Sequence, residues 1–420
     1  MSGAERVTAA QLSVVALALV IAASFFSRIN VGILAVALAG PVALHAGGWL
    51  PDEVLKLFPA PLFLTLLGVT LLFGVAQANG AMVALTHGLL RLAGGRARWV
   101  PALFFLLACA VSTVGPGAIA TLALLAPLGM AAGARAGLPP LLTALMLGNG
   151  ANAGNLSPFS AVGVIVADGM GAAGLTGHQW TVWAANFTAH LLVSVVAWAL
   201  FGGPQLWRET ARVVLDDEVR FDGRHRITLG VIALFVLAVT MLKAHIGLTA
   251  FAGVAFLLLV GAGDDAATLK QVPWAVLVMV CGISVLIGVL EKTGGMSLFS
   301  DLLARIATPA SVNGVIAFVT GTISTYSSTS GVVYPTFLPT VTDVVARLGG
   351  GSALEVALSI NVGAALVDVS PLSTLGALCI AALPKGEDEK RLFRQLLLWG
   401  TSMTVVGALF CQFCIGWFIR

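Results

Sequence analysis

Asp368 lies in Val367-Asp368-Val369-Ser370-Pro371, between apolar flanks and deep in a stretch with no other charge. A carboxylate in such surroundings is costly and is by default a functional hypothesis. It could bind sodium, carry a coupling proton or cap a break in a helix. The residue 213 positions earlier is Asn155, in Gly154-Asn155-Leu156-Ser157-Pro158. Small polar residues gather about both. Asn149, Asn152, Ser157 and Ser160 accompany Asn155, and Ser327, Ser328, Thr329, Ser330, Ser370 and Ser373 accompany Asp368. Their oxygens suit hard cations. The same small side chains also cap broken helices and let helices approach closely.

These residues fall in short runs that occur twice. Ser157-Pro158-Phe159-Ser160-Ala161-Val162-Gly163 returns as Ser370-Pro371-Leu372-Ser373-Thr374-Leu375-Gly376, displaced by 213. Ser112 through Pro127 returns as Ser324 through Pro339, displaced by 212, and Gly74 to Met82 returns as Gly288 to Met296, displaced by 214. Three blocks in one order at nearly one displacement make the chain two related halves. The first covers 1–203 and the second 227–420, joined by a charged connector at 204–226 that carries Arg208, Arg212, Arg220, Arg224 and Arg226.

The surroundings are those of a membrane. Of 420 residues 58% are hydrophobic and 10% charged, and mean hydropathy is +0.99, more apolar surface than one soluble core could hide. Uncharged runs recur that are long enough to cross ~30 Å of hydrocarbon as helices. Spans are expected near 8–27, 30–48, 58–79 and 180–203, then near 227–243, 246–262, 272–290 and 395–418, with an amphipathic stretch at 295–305. The first run reads as a retained helix, not a cleaved leader. Runs 99–134 and 306–342 are too long for one crossing and break at Gly115-Pro116-Gly117 and at Ser327 to Gly331, so each is expected to be a re-entrant hairpin. Runs 138–168 and 352–382 are expected to cross with an unwound middle, the first unwinding over Gly148 to Pro158. Such backbone survives in a membrane only where protein buries it or a polar cavity receives it.

Five crossings per half, an odd number, would insert the second half upside down. The fold class expected is thus an all-α polytopic membrane protein of two inverted repeats, each with a re-entrant hairpin and an interrupted helix, and with its site at the midplane between them. Two hairpin tips and two unwound helices would converge there. Each half-helix start offers free N–H groups and roughly half a positive charge, enough together to hold a carboxylate without Lys or Arg. An outside amino terminus puts most of the 22 Lys and Arg on the cytoplasmic side, with both termini periplasmic and the connector cytoplasmic. The Ala- and Gly-rich composition points to a bacterial inner membrane.

Other chemistries find little support. The five cysteines lie in apolar segments, and Cys411-Gln412-Phe413-Cys414 has no second ligand pair. Gly261-Ala262-Gly263-Asp264 matches an intramembrane aspartyl-protease string, but no Tyr-Asp partner accompanies it. No nucleophile elbow, zinc motif or Walker loop is present, which leaves no enzyme, no nucleotide-driven pump and no organic cofactor expected. Glu355 opens a capping box at Ser352. His190 reads as a packing residue, and Asp168 and Asp343 as interfacial.

At Gly148-Asn149-Gly150-Ala151-Asn152-Ala153-Gly154-Asn155-Leu156-Ser157-Pro158-Phe159 and Ser327-Ser328-Thr329-Ser330-Gly331-Val332-Val333 the chain resembles the ion transporter superfamily. It lies near the divalent anion/sodium symporters and looks most like the MatC-type malonate/dicarboxylate carriers. The resemblance implies a homodimer, a fixed scaffold with a mobile transport domain moving as an elevator, and a small dicarboxylate carried with Na+ or H+. It places substrate at the tips and breaks: Gly115, Gly117, Asn149, Asn152, Ser157, Pro158, Ser160, Ser328, Thr329, Ser330, Ser370, Pro371 and Ser373. Coupling is expected at Asn155, Ser327 and Asp368, with Na+ ligands from Asn149, Asn155, Ser327 and Asp368. The family's Ser-Asn-Thr tips are replaced here by Gly115-Pro116-Gly117-Ala118 and Ser327-Ser328-Thr329-Ser330. The first sodium site would therefore lean on backbone carbonyls and nearby asparagines, and Asp368 could put a proton in place of sodium. The readings weighed against this are a cation/proton antiporter or arsenite-type carrier of the same superfamily and, more remotely, an intramembrane hydrolase. No nucleic-acid partner is expected.

Overall fold

The computed structural model describes residues 8–26, 29–85, 97–115, 117–207, 222–384 and 386–419, and every regular element among them is a helix. Charged and polar residues stand at helix ends while the interiors are apolar. Asp222, Asp264 and Asp388 each accept a hydrogen bond from a backbone N–H at the start of Gly223–Met241, Asp265–Gln271 and Glu389–Cys414. Large apolar side chains cover the outside: Leu259 is 87% exposed and Phe413 70%. Water would penalise that surface, and lipid would not. Among the described residues six helices are long and apolar enough to cross a bilayer: Ala60–Ala78, Gly117–Arg135, Gln179–Leu200, Trp274–Lys292 and the composite spans Ala353–Ala381 and Glu389–Phe418.

The halves follow the same plan. Ala60–Ala78 and Trp274–Lys292 each have 19 residues and start 214 positions apart. Val100–Val114 and Val312–Tyr326 each have 15 and start 212 apart. The short helices Pro51–Leu55 and Asp265–Gln271, which start 214 apart, were not among the expected elements because neither has a hydrophobic run to mark it. The halves also exchange partners. Val31–Pro41 packs on Trp274–Lys292 of the other half, and Ile246–Leu259 packs on Ala60–Ala78. Both contacts are glycine crossings: a Cβ on Gly282 would lie 2.2 Å from the Gly32 carbonyl oxygen, and one on Gly68 would lie 2.7 Å from that of Gly247.

Each half also carries a helical hairpin laid against a broken span. Val100–Val114 and Gly117–Arg135 form the first hairpin, beside Pro140–Asn155 and Ala161–Ala172. Val312–Tyr326 and the helical run from Thr329 to Leu348 form the second, beside Ala353–Leu366 and Thr374–Ala381. The first break is shorter than expected. Gly148 to Asn155 stays helical and the chain unwinds only at 156–160. The physical reason is packing: a Cβ on Gly150 would lie 2.4 Å from the Phe105 carbonyl oxygen, and one on Gly154 2.3 Å from that of Cys109. The glycines that read as helix breakers are a contact face on which the hairpin sits. In the second half Gly363 plays this part against Ala317, with its Cβ position 2.7 Å from the Ala317 Cα.

The helix expected from 227 begins at Gly223, capped by Asp222. Most of the connector, with Arg208, Arg212 and Arg220, lies outside the described residues, as do Arg91, Arg96 and Pro116.

Candidate functional site

A cavity of about 650 Å³ opens where the hairpins, the breaks and the exchanged helices meet. Four helix starts line it: Gly117 and Ala118 at the first tip, Ala161 and Val162 after the first break, Ser328 to Ser330 at the second tip, and Ser373 and Thr374 after the second break. Asn152, Asn155, Ser327 and Asp368 complete the polar lining from the hairpins and broken spans. Among the described residues that line the cavity there is no Lys or Arg, and Asp368 is the single acid.

The sequence around each break dictates how it is held. Ser160 accepts a hydrogen bond from Gly163 N at 2.9 Å and donates to the Asn155 carbonyl, so one hydroxyl closes the loop and caps the next helix. Ser373 donates to the Asp368 carbonyl in the same way, five residues back. Ser157 donates to the Thr113 carbonyl and accepts from Phe159 N at 3.2 Å, tying the first break to its hairpin. Gly117 takes φ +76° so that the chain can turn at the first tip and start a helix.

The two breaks meet their hairpin tips through different atoms. Asn155 Oδ1 accepts a hydrogen bond from Ala118 N at 2.8 Å, which satisfies one free donor at the start of Gly117–Arg135. Asp368 Oδ1 instead accepts from the Thr329 hydroxyl at 2.5 Å and the Ser324 hydroxyl at 3.4 Å. Ser324 also donates to the Ala364 carbonyl at 2.9 Å. Ser328 Oγ accepts from Gly331 N at 3.0 Å and caps its own tip. The Ser327 hydroxyl has no protein partner.

Of the residues expected at the site, Gly117, Asn152, Asn155, Ser327, Ser328, Thr329, Ser330, Asp368 and Ser373 line the cavity. Gly115, Asn149, Ser157, Pro158, Ser160, Ser370 and Pro371 do not. Gly115 is covered by the Phe73 ring. Ser157 and Ser160 are consumed by the loop. Ser370 accepts from Leu372 N at 3.3 Å and lies against Gly400. Asn149 is buried on the helix flank, with neither side-chain polar atom partnered. Pro158 and Pro371 are in the turns themselves. Sequence reasoning missed the opposite wall, where Asn30, Thr70, Phe73, Gln77, Gln271 and Met279 line the cavity. A signal existed for Gln77, which sits inside the repeated block 74–82.

The exchanged helices, paired hairpins and shared cavity define a polytopic α-helical membrane fold. Residues 7–155 match the family described as dicarboxylate carrier protein MatC N-terminus, so the resemblance to MatC-type carriers holds over that part of the chain. Among solved structures the chain is similar to the YdaH transporter of Alcanivorax borkumensis, with a TM-score of 0.58 and 16% identity over 87% of each chain. At that identity the likeness is one of fold. No curated protein matches the sequence. Both likenesses are to transporters, not enzymes.

Proposed function

We propose that this chain is a secondary active transporter of a small dicarboxylate, with malonate or a four-carbon acid as the first candidates. The observation that carries the reading is the cavity: four helix starts and a row of hydroxyls and amides surround a space of about 650 Å³ with no Lys or Arg in the described lining. Helix N-termini, each worth roughly half a positive charge, hold carboxylates in such a setting. The family match over residues 7–155 supports the substrate class.

Coupling is assigned to Asp368, which shares the cavity with the substrate and lies against the second tip through Thr329. A cation or proton on Asp368 removes the negative charge that would repel an incoming dicarboxylate, so the two load together. Alternating access follows an elevator scheme. The hairpins and broken spans move as one body against the exchanged helices, in a homodimer of inverted repeats. The reciprocal glycine crossings between halves support the repeat relation, and the tight hairpin-to-span contacts support a single moving body.

The test is uptake of labelled malonate and succinate into proteoliposomes under an inward sodium gradient, an inward proton gradient, or neither. The reading expects saturable accumulation of at least one acid under one of the gradients. Exclusion of both acids by a protein that still exchanges sodium for protons would replace it with the antiporter reading.

A further inference from the structure

A second, smaller space of about 180 Å³ lies at the other end of the helices that wall the cavity. A Cβ on Gly74 would lie 3.3 Å from Gln271 Cβ, and one on Gly288 would lie 3.1 Å from Leu57 Cδ2. The end of Ala60–Ala78 is thus beside the start of Trp274–Lys292, and the end of Trp274–Lys292 is beside the start of Ala60–Ala78. The two helices run antiparallel. Gly74 lines the cavity at one end of the pair, and Gly288 lines the smaller pocket at the other.

The pocket wall repeats the cavity wall. Ser284, Ile287, Gly288 and Glu291 line the pocket and stand 214 positions after Thr70, Phe73, Gly74 and Gln77, which line the cavity. Leu57, Pro59 and Leu62 line the pocket and stand 214 positions before Gln271, Pro273 and Val276, which line the cavity. The cover differs. Asp168, Gly169 and Ala172 from the first broken span, with Pro335 and Pro339 from the second hairpin, close over the pocket wall. Ile165 borders both spaces. Charge differs as well. Gln77 is neutral and Glu291 is an acid, and no Lys or Arg stands among the described residues that line the pocket.

On the transport reading above, we infer that this pocket is the closed counterpart of the cavity and that Glu291 sets the affinity of the opposite face. Its wall receives the dicarboxylate once the hairpins and broken spans have moved across, and Glu291 then meets the substrate where Gln77 meets it here. A carboxylate repels a nearby dianion, whereas an amide can donate hydrogen bonds to it. The dicarboxylate is therefore held more weakly on the Glu291 face than on the Gln77 face. The two walls share one plan and differ in charge.

Thiol labelling probes the pocket without any substrate. Thr70→Cys and Ser284→Cys are each placed in a Cys414→Ser background, the other four native cysteines being buried. Membrane-impermeant thiol reagents are applied to intact cells and to inside-out membrane vesicles. Ser284→Cys should react from the face opposite to Thr70→Cys. Adding Glu291→Gln should raise its rate with an anionic reagent severalfold relative to a cationic one. Uptake of labelled malonate and succinate by the same preparations then follows the substrate. Glu291→Gln should lower the half-saturating concentration severalfold at the Ser284 face alone, and Gln77→Glu should raise it at the Thr70 face alone. Labelling of both cysteine variants from one face, or of Ser284→Cys from neither, overturns the inference. So does a Glu291→Gln effect that is equal at the two faces or absent from the labelling rates. A wild type that takes up neither acid while the labelling pattern holds would sink the transport reading and leave the paired walls standing.

Discussion

Asn155 and Asp368 occupy the same place in the two broken spans, 213 positions apart, each followed by Ser-Pro and, five residues on, by a serine. Both face the cavity, and both reach to the tip of their own hairpin. The amide takes a backbone N–H and holds the first tip in one arrangement. The carboxylate takes two hydroxyls, which can rotate and can accept as well as donate. One half therefore carries a fixed neutral clamp and the other an ionisable group on adjustable partners. The backbone plan is shared while the chemistry is divided.

The shared part is tested by the largest effects. Gly154→Val drives a side chain into backbone at the Cys109 carbonyl, 2.3 Å from its Cβ position, and Gly363→Val does the same at Ala317. Each should cost about 3 kcal/mol, the upper end for overpacking, read as lost folded yield and a lower melting temperature. A mild effect at either would mean that its hairpin is not seated on the glycine face.

The divided part comes next. Asn155→Ala leaves the Ala118 N–H without its acceptor and should cost about 1–3 kcal/mol, with weaker anion binding measured by substrate competition. Asp368→Asn keeps shape and volume, so its melting temperature should change less than that of Asn155→Ala. Accumulation of substrate should fall at least about tenfold, equivalent to ~1.4 kcal/mol. Equal behaviour of the two variants would erase the distinction between clamp and ionisable group.

Smaller effects sharpen the contrast. Ser160→Ala removes a helix cap and should cost about 1 kcal/mol of stability, whereas Ser373, which makes no such cap bond, should tolerate alanine better. Smallest of all, Asp301→Ala breaks a partly exposed ion pair with Arg347, away from the cavity, and should change the melting free energy by under about 1 kcal/mol and uptake not at all.

Much of this was legible in the sequence because apolar runs and repeated blocks are strong signals. Helix Ala60–Ala78 was expected at 58–79 and Val100–Val114 with Gly117–Arg135 at 99–134. The extent of the first break was not legible. Gly148, Gly150 and Gly154 look alike whether they unwind a helix or admit a neighbour, and only the approach of Phe105 and Cys109 decides. Asp368, Asn155 and the second tip were found through their polarity in apolar surroundings. Asn30, Thr70 and Gln271 were not, because they come from segments remote in sequence that the exchange of helices brings to the cavity. Asn149 carried the right polarity but faces the flank, which helical phase alone does not reveal without the neighbouring helix.

The central claim is that the ion and the anion load together while the group that carries the ion is separable from the groups that hold the anion. The measurement that meets it most directly compares gradient-driven accumulation with gradient-free counterflow of labelled dicarboxylate, in proteoliposomes of wild type and Asp368→Asn. The account predicts that the variant loses accumulation but keeps counterflow, because the helix starts and hydroxyls still bind and move the anion. A variant that accumulates substrate as wild type does would contradict it.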